Sequence, residues 1–152
     1  MTSSGGRGER GSALVELTWL GVLLLVPMLW IVLSVFDVQR GAFGVSSAAR
    51  AAGRAYALAP NDAVGRVRAE QVARQALADQ GLRGAPVTVT ITCTPHPDNC
   101  HQGTSVITVR VASRVDLPLL PAVLGGQAPS FALDASHTVP IGHYQEVDRA
   151  TP

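Results

Sequence analysis

Residues 11–36 read GSALVELTWLGVLLLVPMLWIVLSVF, and Leu17–Phe36 carry no charge over twenty positions. A helix that crosses the hydrocarbon core of a bilayer needs about 20 mostly apolar residues, each adding ~1.5 Å of rise. The run therefore predicts a transmembrane helix over 17–36. Glu16 stands at its N-terminal lip, where a carboxylate is costly and marks a functional position. Pro27 lies in the middle of the run. In water it would break a helix, but in a membrane it is tolerated with a kink, because neighbouring groups satisfy the freed carbonyl. Trp19 is placed for the inner aromatic belt, and Trp30 for lipid or a helix contact.

A cleaved secretory signal has an apolar core of roughly 7–15 residues followed by a small-residue cleavage site. This core is longer, and Ser34-Val35-Phe36-Asp37 is no Ala-x-Ala site. The run is expected to stay as an anchor. Arg7 and Arg10 precede it and Arg40 follows it. Positive flanks stay inside, so the N-terminus is expected in the cytoplasm and the rest of the chain outside. Met1–Arg10, within the leader 1–11, is rich in Gly, Ser and Arg and is expected to be disordered.

Of the 152 residues, 47% are hydrophobic and only 5% aromatic. A small outer domain must then build its core from Ala, Val and Leu, and small domains bury a smaller fraction of their surface. The formal net charge is +1, all 12 basic residues are Arg, and none of them cluster along the chain. That excludes the basic face a nucleic-acid partner requires.

Small residues and helix formers continue after the run, from Ser46-Ser47-Ala48-Ala49 to Ala57-Leu58-Ala59. They predict one long helix from about Ser12 to about Ala59, with Gly41 and Gly44 as weak points and Pro60-Asn61 as its end. Asp62 is the expected N-cap of a second helix running to about Gln80. Val64, Val67, Val72, Ala76 and Leu77 supply its apolar stripe. Arg66, Arg68, Glu70 and Arg74 form a solvated face, with Glu70 and Arg74 an i,i+4 pair. Gly81 suits the C′ position.

The period then changes from helical to two. Val87, Val89, Ile91 and Cys93 alternate with threonines, and Ile107, Val109, Val111 and Val115 alternate with Thr108, Arg110, Ala112 and Arg114. These are half-buried strands, joined by a loop over 94–104 that is rich in turn residues. Residues 117–130 form a Pro/Gly-rich loop. Phe131, Leu133, Ala135, His137 and Val139 begin a third alternation.

The expected fold class is α+β: a long N-terminal transmembrane helix continuing into an outer domain with a second helix and a small antiparallel sheet of about three strands. Its parts are the leader 1–11, the transmembrane and extended helix 12–59, an extracytoplasmic α+β domain 60–140, and a flexible tail 141–152 with a loose end.

Cys93 and Cys100 bracket the hairpin loop. An even count in an oxidising compartment predicts a disulfide, which would contribute on the order of 2–3 kcal/mol through loop entropy. The alternatives are free thiols, or zinc with the neighbouring His96 and His101. Zinc spacing wants a second ligand pair, which is missing. His137 and His143 are expected at the surface or on an edge strand. No nucleophile, acid–base pair or phosphate loop stands out, so neither an enzyme nor a cofactor is expected.

Gly11-Ser12-Ala13-Leu14-Val15-Glu16 followed at once by the apolar run resembles the processing motif of type IV pilins. The longer stretch Arg10–Leu17, with Pro27, Asp37 and the Ala/Arg-rich Ala48–Arg54 segment, is similar to the TadE-like family, the minor pilins or pseudopilins of the tight-adherence (Flp) pilus system. The similarity covers about residues 10–60. It implies cleavage by a prepilin peptidase between Gly11 and Ser12, and a role for Glu16 in pairing with the new amine of a neighbouring subunit. It implies as partners other pilins, inner-membrane platform proteins and an assembly ATPase. Leu17 departs from the aromatic that Flp pilins carry there. The outer domain is far longer than in a major Flp pilin, which points to a minor component. The alternative from another class is an unprocessed, single-pass membrane-tethered binding module or secretion helper.

Overall fold

The computed structural model describes residues 9–116 and 130–142. Most of the expected leader, the Pro/Gly-rich loop over 117–129 and the tail from His143 onward lie outside the described residues. The elements are α1 (Glu9–Ala57), α2 (Asp62–Asp79), β1 (Val87–Thr94), β2 (Val106–Asp116) and β3 (Ser130–Pro140). This is the α+β class expected, with a long apolar N-terminal helix, a second helix and one antiparallel sheet in the order β1-β2-β3. The chain divides into two compact units, Met1–Phe36 and Asp37–Pro152, and the division falls where the uncharged run ends.

In the first unit the helix continues without a break through Pro27. Its large apolar side chains are exposed, among them Leu17, Trp19, Leu23 and Met28. The helix is long and apolar enough to cross a membrane. Thr18 turns its hydroxyl back to the Leu14 carbonyl at 2.8 Å, a local bond that removes a polar group from the helix surface.

The second unit holds the core. In the sheet, Val89 pairs with Val111 and Val111 with Ala135; Ile91 pairs with Val109 and Val109 with His137. The pleat sends these side chains to one face, and Ile107, Val109 and Val111 on the central strand are fully buried there. The outer face is polar, lined by the alternating threonines and by an exposed Arg110–Asp134 ion pair at 2.9 Å. From α1 the core receives Val45, Ala48, Ala49, Ala52 and Tyr56. His137 lies half-buried on the edge strand β3.

Three local expectations are corrected. First, the N-cap of α2 is Asn61, which accepts from the Val64 amide at 2.9 Å; Asp62 is the first helical residue and its carboxylate turns elsewhere. Second, the buried stripe of α2 is Gly65, Ala69, Ala73 and Leu77, whereas Val67 is exposed. Small side chains let α2 approach its neighbours closely, so the packing face is not the most hydrophobic one. Third, Gly41 and Gly44 do not interrupt α1. A Cβ at Gly41 would stand 2.5 Å from a Leu133 methyl and 2.6 Å from a Val115 methyl, so glycine there permits close contact with the sheet. The C-terminus of α2 follows expectation. Gly81, at φ 84°, donates to the Ala78 carbonyl and Leu82 to the Leu77 carbonyl, the two bonds of a Schellman cap.

Candidate functional site

The structure places Gly11, Ser12 and Glu16 on α1, with Glu16 exposed. All three stand in the turns directly before the uncharged run. The spacing leaves Glu16 at the position where a cut after Gly11 would make it the fifth residue.

Cys93 and Cys100 form a disulfide with 5.4 Å between their Cα atoms, leaving no free cysteine. Among the described residues no group of three or more His, Cys, Asp or Glu side chains gathers as a metal site. The disulfide closes a loop that is also tied to the helices. The Cys100 amide donates to Asp62 Oδ2 at 3.2 Å. His101 is buried; its Nδ1 meets Asp62 Oδ1, and its Nε2 lies 3.0 Å from the Tyr56 carbonyl oxygen. The Tyr56 and His101 rings are 5.0 Å apart, centroid to centroid. Both ring nitrogens thus face acceptors, and only the doubly protonated ring donates to both at once. The cluster ties the end of α1, the start of α2 and the tip of the β1–β2 hairpin together at one point.

Electrostatics follow from this packing. Burial pushes the Asp62 carboxyl up, but the His101 hydrogen bond, the Cys100 amide and the His101 charge together outweigh it, and the group is held below the usual carboxylate range. Burial, and then the Asp62 charge, push the Tyr56 hydroxyl up to about 12. That hydroxyl is buried without a partner in hydrogen-bond geometry. The arrangement works as a structural lock that joins these three elements.

The linear pattern foretold the cysteine pair, but not Asp62 with His101. They are 39 residues apart, and Asp62 had an equally good local use as a cap. The adjacency of His101 to Cys100 was the one available signal. No family model, curated protein or solved structure matches the chain.

Proposed function

We propose that the chain is a membrane-anchored minor pilin or pseudopilin that takes part in assembling a tight-adherence (Flp-type) pilus or a related secretion apparatus. One observation carries this: Gly11 stands five residues before Glu16, directly ahead of an uncharged twenty-residue run on a helix that continues beyond it. The N-terminus lies in the cytoplasm and the α+β unit outside, where a disulfide between Cys93 and Cys100 persists. A prepilin peptidase cuts between Gly11 and Ser12. The new amine of Ser12 is then neutralised by Glu16 of a neighbouring subunit. In an apolar environment an unpaired charge is expensive, so that pairing sets the axial register between subunits. Other pilins, inner-membrane platform proteins and the surrounding lipid are the partners.

The decisive experiment is mass spectrometry of the mature N-terminus in cells with an active prepilin peptidase. A chain beginning at Ser12 is expected. One that still begins at Met1 or Thr2 removes the processing step. Glu16→Ala separates the two functional classes, because it abolishes assembly or partner recruitment for a pilin and leaves an unprocessed tethered module nearly intact.

A further inference from the structure

Arg40, Arg83 and Arg114 come from three separate parts of the second unit: α1, the loop after α2, and the end of β2. They line one groove of about 320 Å³, together with Asp37 and Asp116. All three arginines are exposed. None takes part in an ion pair among the described residues; the pairs found are Arg74–Glu70, His101–Asp62 and Arg110–Asp134. The carboxylates on the groove wall therefore leave the guanidinium forks open. The formal charge of the lining is positive by one, three arginines against two aspartates. The loop that carries Arg83 is shaped by Gly81 and Gly84, both at positive φ.

We propose that this groove binds a phosphate group, supplied by the headgroup of an anionic phospholipid. The inference rests on the uncharged run crossing a membrane. Guanidinium forks match phosphate oxygens in pairs, which an ammonium does not do. Position selects the source. Asp37 follows the last uncharged residue, and Arg40 is four residues beyond Phe36, about 6 Å along a helix. The headgroup layer is itself about 5–7 Å deep on each side of the hydrocarbon core. Arg40 thus emerges at the depth where phosphodiesters are concentrated. The groove would fix how deep the helix sits and how it is rotated when the lipid is bound.

The test uses the full chain in detergent micelles, titrated with phosphatidylglycerol, phosphatidylcholine or free glycerol phosphate and read by native mass spectrometry. Phosphatidylglycerol is expected to bind at least tenfold more tightly than phosphatidylcholine. Arg83→Gln should weaken it about fivefold, the worth of one arginine near a charged surface. The triple variant Arg40→Gln, Arg83→Gln, Arg114→Gln should bring it to the phosphatidylcholine level. A control of equal charge loss, Arg50→Gln, Arg54→Gln, Arg68→Gln, should keep the wild-type preference. Equal phosphatidylglycerol affinity in the two triple variants overturns the groove. Glycerol phosphate binding as tightly as the lipid overturns the lipid source and leaves a soluble phosphate ligand. Carbonate extraction of cell membranes reads the anchor separately: a chain released by carbonate overturns the membrane reading, and the lipid source with it.

Discussion

Asp62 is the side chain on which most of the second unit's polar order converges. It accepts from the Cys100 amide and from His101, and each of those donors is buried. An asparagine there keeps one acceptor oxygen and turns an NH2 toward the other donor, so one buried donor loses its partner at a cost of about 1–3 kcal/mol. Asp62→Asn is therefore expected to lower unfolding stability by that order, read by denaturant melts of the full chain in micelles. Its pH dependence has a definite sign. The folded carboxyl sits below its ordinary value, so its contribution is complete above about pH 4 and is lost as pH falls through the folded value. The stability gap between wild type and Asp62→Asn should narrow as pH falls below about 4. A gap that widens on acidification would contradict this. Tyr56 gives the opposite case. Its hydroxyl is buried and unpartnered, so Tyr56→Phe should be neutral or slightly stabilising. The wild type should also lose stability above about pH 10, where the unfolded tyrosine ionises while the folded one holds its proton up to about 12. The Phe variant should lack that alkaline loss.

α2 shows why an element can be foreseen while its packing is not. Its start was read from Asp62, one residue past the true cap Asn61, and its end from Gly81, residues whose local backbone chemistry acts within a single turn. The strands were equally legible, since Val87–Cys93 and Ile107–Val115 alternate with period two, and the pairing of Val89 with Val111 places both on the buried face. Of the buried stripe of α2, Leu77 was foreseen, whereas Gly65, Ala69 and Ala73 escaped because they carry little hydrophobic signal of their own. What they provide is proximity. A Cβ at Gly65 would lie 2.8 Å from Tyr56 Cδ2 and 3.0 Å from Cε2, and that ring is fully buried with nowhere to move. Gly65→Ala should therefore destabilise the protein by roughly 1–3 kcal/mol, the usual cost of overfilling a packed core, even though alanine favours a helix by up to ~1 kcal/mol. Thermal denaturation decides it: a raised melting temperature would mean that the helices can separate at little cost. Arg40, Arg83 and Arg114 were illegible as a group for a related reason. They are scattered along the chain, and only the turn after α2 and the end of β2 bring them to one groove.

For the molecule as a whole, topology and redox chemistry are a single question. The Cys93–Cys100 bond closes the hairpin tip, and Asp62 and His101 fasten that tip to the helices. Losing a native disulfide from a small domain costs about 2–5 kcal/mol, a large share of the 5–15 kcal/mol that holds a typical domain together. On the proposed topology the second unit lies in a compartment that oxidises thiols, where this bond persists. Disulfides persist outside the cytoplasm and are rare within it, so the side of the membrane on which residues 37–152 reside determines how stable they are. Two versions of the chain compare the compartments in cells: the full chain, and one that lacks residues 1–36 and so stays where it is made. Cells are quenched with acid, denatured, and alkylated with a maleimide before and after reduction. The full chain is expected to take up label only after reduction, at both cysteines. The shortened chain is expected to label before reduction and to be degraded faster. A full chain that labels without reduction would place Cys93 and Cys100 in the cytoplasm. It would reverse the orientation inferred from Arg7, Arg10 and Arg40, and it would carry the arginine groove to the inner leaflet.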